Sequence, residues 1–190
     1  LEGDLAIAVA AGVAEALDVA HARGVVHRDI KPANVFLVGG DAAPLVKVLD
    51  FGVAHLAADL SARASAELTG TGFHGTPWYM APEQIEAGRA APASDRWALG
   101  LLAFRMLTGE SYWSPAPLAD LLAEIVRGPS LAPTFVVAAR GIEARAPIGR
   151  HFDAWFARAC HRDPDRRFGS AREQAERLAE ALQSDAVEAP

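Results

Sequence analysis

The 190-residue sequence has a single cysteine, Cys160, which excludes an internal disulfide and a cysteine-only metal centre. That usage suits a reducing compartment. It has no block of basic residues and a formal net charge of −6, so non-specific binding to nucleic acid is disfavoured. It has no internal repeat and no long hydrophobic run. The longest run near the start, Leu5 to Ala14, covers ten residues before Glu15 interrupts it. That is too short for a membrane span, and no basic segment precedes it as in a secretory leader. The sequence opens on Leu1 rather than Met and reads as a piece of a longer chain. What it does have is apolar content. With 51% hydrophobic and 22% charged residues, it predicts a packed core and argues against disorder.

Local patterns divide the chain into a mainly helical unit with one hairpin near its start. Asp4 is a candidate cap for a helix reaching about His21, with Leu5, Val9, Val13, Leu17 and Ala20 on one face and Gly24 as a stop signal. Val35 to Val38 and Leu45 to Leu49 read as short strands joined by the turn-rich "GGDAAP", which predicts a hairpin. Residues 53 to 80 show no steady period and suit a long functional loop. "SDRWALGLLAFRMLTG" reads as a helix capped by Ser94 and stopped by Gly109, apolar nearly all round and therefore central. Further helices are predicted over Leu118 to Val126, over Phe152 to Cys160, and from Ser170 to about Gln183. The last starts with the capping box "SARE", in which Ser170 caps and Glu173 reaches back. Residues 184 to 190 read as the start of a linker.

An antiparallel hairpin brings its open ends together, so Asn34, just before the first strand, and Asp50, just after the second, should be neighbours. Asp29 and Lys31 lie on the loop entering the same end. Carboxylate and carboxamide oxygens at one place suit a hard cation such as Mg²⁺. A lysine beside them can neutralise a phosphate. The remaining carboxylate can orient a hydroxyl and accept its proton. Plainer readings stand beside these. Asn34 and Asp50 also suit turns, His27 suits a core scaffold better than a proton shuttle, and Thr69 and Thr71 suit an ordinary polar loop. Cys160, Trp97 and Trp155 read as packing residues.

"HRDIKPAN" (His27 to Asn34), "DFG" (Asp50 to Gly52), "GTPWYMAPE" (Gly75 to Glu83), "SDRWALG" (Ser94 to Gly100) and "DPDRRF" (Asp163 to Phe168) follow in an order and spacing that resemble the eukaryotic-like serine/threonine protein kinases of bacteria. The resemblance spans nearly the whole chain. It implies the larger, C-terminal lobe of a kinase catalytic domain over residues 1 to 183, a mainly α, overall α+β unit with a β-hairpin at the catalytic cleft. It implies ATP and Mg²⁺, or Mn²⁺, as cofactors and protein Ser/Thr hydroxyls as acceptors.

Carried over residue by residue, Asp29 would be the catalytic base and Lys31 would meet the transferred γ-phosphate. Asn34 and Asp50 would hold the metal, and Phe36 would lie under the adenine. Phe51 would pack between lobes. Arg28 would pair with a phosphate on the activation segment, with Thr69 or Thr71 as the modified residue, and Thr76 would bridge Asp29 and the substrate. Asp95 would brace the catalytic loop, His27 would be scaffold, and Glu83 would form a buried ion pair with Arg167. Arg105 stands where many relatives carry an acidic residue.

Residues 1 to 190 do not contain the Gly-rich loop, strand lysine, partner glutamate or hinge of the small lobe that the resemblance implies. The chain alone is therefore expected to bind Mg-ATP weakly and show little or no activity, and the face meeting the N-terminal lobe should be apolar. Two other functions fit "HxDxxxxN": a small-molecule phosphotransferase of kinase-like fold and a non-catalytic binding scaffold. Expected partners are protein substrates, the N-terminal lobe of the same chain, and a second copy for autophosphorylation, with no nucleic acid. The expected location is the cytoplasm, either free or as the cytosolic part of a membrane-anchored protein.

Overall fold

A computed structural model describes residues 1–39, 45–51 and 77–189. Among them are seven α-helices and one antiparallel two-stranded sheet. Helix α1 spans Gly3–His21, strands β1 and β2 span Val35–Val38 and Leu45–Val48, and helix α2 spans Pro82–Ala87. Then come α3 (Pro92–Thr108), α4 (Leu118–Arg127), α5 (Pro133–Arg140), α6 (Arg150–Ala159) and α7 (Ala171–Glu188). The mainly helical unit with one hairpin is the architecture the sequence implies.

Helix α3 forms the axis of the domain. Trp97, Leu99, Leu101, Leu102, Phe104 and Leu107 are all buried, so it is covered nearly all round, with Arg105 left exposed near its C-terminal end. Helices α1 and α6 pack against it, and α7 packs across α1 and α6. Removing side chains of this size from water contributes about 1.5–3 kcal/mol each. Phe104, Tyr112 and Phe156 form one aromatic cluster, with ring centroids 4.9–6.0 Å apart. Gly100 lets α6 approach closely, because a Cβ there would stand 2.6 Å from the Cys160 sulfur. Burial drives the Cys160 thiol far up its titration range, so it packs and does not react.

Helix α1 buries Ala6, Val9, Ala10, Val13, Ala14 and Leu17, a regular three-and-four spacing. The stripe therefore runs through the alanines, and Leu5 and Ala20 lie at its edge, only half-buried. Gly12 on the same helix receives the hairpin: a Cβ there would meet Val46 of β2 at 2.6 Å.

Several helix ends differ from the sequence expectation, each for a local reason. Asp4 does not cap α1. The helix starts at Gly3 behind Glu2, and Asp4 sits in the first turn, where its charge favours the helix dipole. Ser94 is not the cap of α3, because Pro92 takes the first helical position and Ala91 becomes the cap residue. Ser94 instead accepts a bond from the Ala91 N–H at 3.1 Å. Gly109 does end α3, in the left-handed region at φ 76°. Ser170 caps α7 by accepting from the Glu173 N–H at 3.0 Å, but Glu173 accepts from the Gly169 N–H, one residue before the cap. Helix α7 runs past Gln183 to Glu188 because Asp185 is buried against the start of α6, accepting from the Gly149, His151 and Phe152 N–H groups. That contact also moves the start of α6 back to Arg150. No described helix is long and apolar enough to cross a membrane.

Candidate active site

Between α1 and β1 the chain makes an extended loop from Val25 to Lys31 and then a 3-10 turn, Pro32–Asn34. His27 and Ile30 are fully buried, Asn34 nearly so, while Arg28, Asp29 and Lys31 stay partly open. The loop is thus pinned by its inward residues and presents its charged ones.

The main pin is Asp95 on the first turn of α3, only 1% exposed. Its Oδ2 accepts from the His27 N–H at 2.8 Å and from His21 Nε2 at 2.7 Å, and its Oδ1 accepts from the Arg28 N–H at 2.8 Å. The Arg28 carbonyl accepts from Gln84 Nε2 at 3.2 Å. Arg28 is held at φ 72°, a left-handed conformation that costs a non-glycine residue about 1–3 kcal/mol. Clamps on both its N–H and its C=O offset that cost. His27 carries its ring proton on Nε2, which donates to the Leu49 carbonyl at 2.9 Å. Its Nδ1 accepts from the Asp29 N–H at 3.3 Å, and its ring packs at a 56° tilt against Phe51, with centroids 4.6 Å apart. One imidazole therefore joins the loop to the chain leaving the second strand at the open end of the hairpin.

The hairpin register pairs Val35 with Val48, and the Leu49 N–H donates to the Asn34 carbonyl at 2.9 Å. Asp50 follows at once, exposed and left-handed at φ 61°, a region that Asp tolerates better than most residues. Asn34 and Asp50 therefore flank the open end together. Asn34 Nδ2 donates to the Asp29 carbonyl at 2.8 Å and to Asp29 Oδ2 at 3.1 Å. Both are acceptors, which fixes the amide with Oδ1 on the other side, and no described residue donates to that oxygen. Lys31 Nζ lies 2.7 Å from Asp29 Oδ2, with the two side chains 29% and 43% exposed. An amide oxygen with no described donor, on the same hairpin end as an exposed carboxylate, is a donor set that fits a hard divalent cation.

A second ion pair supports the floor. Arg167, fully buried, grips Glu83 with two bonds, 2.8 Å to Oε1 and 2.9 Å to Oε2. Its remaining donors meet the Ala93, His161 and Arg162 carbonyls, and it lies 4.9 Å over the Trp97 ring. Ser94 adds a 2.7 Å bond to Glu83 Oε1. Burial alone would raise the Glu83 carboxyl, but the bonds from Arg167 and Ser94 and the guanidinium charge outweigh it and hold the group below its ordinary value.

Phe36 is half-exposed on β1. Thr69, Thr71 and Thr76 lie outside the described residues. Sequence reasoning missed His21 and Gln84. His21 sits in the last turn of α1, and only the fold brings it to Asp95; Gln84 lies one residue past Glu83 with no local mark of its reach.

Comparison with known proteins matches this geometry to one family. A profile described as the protein kinase domain matches residues 1–182. Serine/threonine-protein kinase Pkn1 of Myxococcus xanthus is 39% identical over 163 residues, covering 83% of this chain and 23% of its own length. PknJ of Mycobacterium tuberculosis is 37% identical over 188 residues, covering 96% of this chain and 29% of its own. The kinase domain of Mycobacterium tuberculosis PknI superposes with a TM-score of 0.64 at 29% identity, over 95% of this chain and 56% of that one. Rad53 in complex with AMP-PNP superposes with a TM-score of 0.68 at 25% identity, over 94% and 40%. The chain belongs to the protein kinase domain family. It spans about a quarter of the length of these curated relatives.

Proposed function

We propose that this chain forms the catalytic floor of a protein kinase that transfers the ATP γ-phosphoryl group to Ser/Thr hydroxyls of proteins. The observation that carries this reading is the hairpin closure, which sets Asn34 and Asp50 at one end beside Asp29 and Lys31. The serine/threonine kinases among its relatives, and the AMP-PNP held by Rad53, support the substrate pair.

The chemistry follows from positioning and charge. Asp29, open to solvent yet held by Asn34 and Lys31, orients the acceptor hydroxyl and takes its proton. The hydroxyl oxygen bonds to the γ-phosphorus, and the bond to the β–γ bridging oxygen breaks, leaving ADP. The Lys31 ammonium stabilises charge on the transferred group. Mg²⁺, or Mn²⁺, held by Asn34 Oδ1 and the Asp50 carboxylate, would neutralise charge on the phosphates. Phe36 would lie against the adenine, and Arg28 would read a phosphate on Thr69 or Thr71, with Thr76 near the acceptor.

Residues 1–183 form one lobe of the catalytic domain in this reading. Phe36, Leu37, Val38, Leu45 and Leu49 of the hairpin are 42–60% exposed, an apolar ridge suited to cover by the N-terminal lobe of the longer protein. The test is phosphate transfer by the full-length protein to a mixed protein substrate. Asp29→Asn should lower it about 10²–10⁴-fold, and Asp50→Asn should raise the Mg²⁺ needed for half-maximal rate. Equal transfer by wild type and Asp29→Asn would overturn the proposal.

A further inference from the structure

A groove of about 490 Å³ opens beside the catalytic loop, within the range of about 300–1,000 Å³ typical of ligand clefts. Lys31, Pro32 and Ala33 form one wall, the Pro77–Tyr79 turn another, and the C-terminal end of α3 with its following loop the third. No hairpin residue lines it, so it lies off the end where Asn34 and Asp50 meet.

Its charge is opposite in sign to the net charge of the chain. The chain carries a net −6, yet the described residues lining the groove include two arginines, Arg105 and Arg140, and Lys31, whose charge is shared with Asp29 at 2.7 Å, against one lining carboxylate, Glu110. Arg105 and Glu110 are only loosely paired, 3.8 Å apart, with side chains 42% and 58% exposed. Arg140 is fixed differently. Its guanidinium donates to the Ser111 and Tyr112 carbonyls at 2.9–3.0 Å, and no described carboxylate lies within ion-pair distance. Carbonyls hold its position without cancelling its charge. Trp78 and Tyr79 give the groove a flat aromatic side. Burial pushes the Tyr79 hydroxyl up and the Arg105 charge opposes that, which places Arg105 electrostatically against this wall.

We propose that this groove selects acidic peptide segments, with Arg105 and Arg140 receiving Asp or Glu side chains that flank the phosphoacceptor Ser or Thr. The proposal rests on the kinase reading, because only an acceptor at Asp29 puts a substrate chain across Lys31 and into the groove. Charge complementarity chooses the occupant: a basic segment would place like charges against two arginines, and a neutral one would leave the Arg140 charge without a partner.

The experiment uses the full-length protein and peptides that share one acceptor and differ only in a single flanking residue. That residue is Asp or Arg, scanned over about four positions on either side, the reach of an extended chain at roughly 3.3 Å per residue. At the best position kcat/KM should favour Asp over Arg by about fivefold. Arg105→Glu should lower that ratio by about tenfold, and Arg140→Met by about threefold. Taken within one variant, the ratio cancels any loss of folding or overall rate. Fluorescence anisotropy with the same labelled peptides needs no turnover and should show the same order. Absence of transfer to every peptide would sink the kinase reading while anisotropy still read the groove. Equal binding of Asp and Arg peptides, or an Arg105→Glu ratio matching wild type, would overturn the groove proposal. So would binding of N-acetyl-aspartate amide as tightly as the peptide, which would make it a small-anion site.

Discussion

Asp29 and Asp95 serve the same loop from opposite sides and differ in every physical respect. Asp95 is 1% exposed and accepts from His21 and from the His27 and Arg28 N–H groups. Asp29 is 43% exposed and accepts from a lysine and an amide at one oxygen, Oδ2. A carboxylate whose lone pairs are committed to backbone donors can fix geometry but cannot exchange partners. One with open oxygens can take a substrate proton. The same contrast separates the two ion pairs: Glu83–Arg167 is enclosed and bidentate, while Asp29–Lys31 faces solvent. The domain keeps one charged pair inside and leaves the other, the pair proposed to act in transfer, at the edge.

The largest effect that would sharpen this contrast is a split between rate and stability. Asp29→Asn should cost about 10²–10⁴ in phosphotransfer, roughly 3–5 kcal/mol of barrier. The same change should shift unfolding by less than about 1 kcal/mol, since its pair is exposed. Assays on one protein preparation, paired with a denaturant titration, check both numbers. Comparable losses in both would break the contrast.

Next comes the enclosed pair. Glu83→Gln strands the buried Arg167 charge and should destabilise by about 3–5 kcal/mol, read from the denaturant midpoint. The pH dependence has a definite sign. The folded-state Glu83 carboxyl lies below its ordinary 4.5, so its stabilisation is complete above that pH and is lost as the solution is acidified through the folded value. The gap between wild type and Glu83→Gln should therefore narrow below about pH 4.5. A gap constant down to strong acid would show that the pair is not what the variant removes.

Local patterns carried α1, the hairpin, the stop at Gly109 and the cap at Ser170, because each depends on residues within a few positions of one another. They missed what is closed from a distance. Helix α5 was not anticipated: its β-branched Thr134, Val136 and Val137 do not favour a helix, and its start is capped by Asp153 of α6, which accepts from the Thr134 N–H and hydroxyl. Asp18 of α1 does the same for α7, accepting from the Ala171 and Arg172 N–H groups. At the site, motif order pointed to Asp29, Asn34 and Asp50, whose spacing is local to one hairpin. His21 and Gln84, which complete the clamps on the loop, meet it only after α3 and α2 have packed.

Asp185 tests these long-range caps at a smaller scale. Its carboxylate takes bonds from Gly149, His151 and Phe152 at 2.7, 3.0 and 2.9 Å, so it does for α6 what Asp95 does for the Val25–Lys31 loop. Asp185→Ala should cost about 1–2 kcal/mol, the range of a lost N-cap. Amide exchange should rise at His151 and Phe152 before it rises in α3.

The smallest effect belongs to the open pair. A double-mutant cycle on Asp29 and Lys31 should give a coupling of only about 0.2–1 kcal/mol in unfolding free energy, shrinking further as salt is added. The 2.7 Å separation does not raise that figure, because with 29% and 43% of the two side chains in water both ions keep much of their hydration in the unpaired state. A coupling of several kcal/mol, comparable to that of the enclosed pair, would mean that Lys31 holds the fold. A small one leaves its ammonium free to exchange Asp29 for a phosphate oxygen at little cost to stability, which the proposed transfer requires.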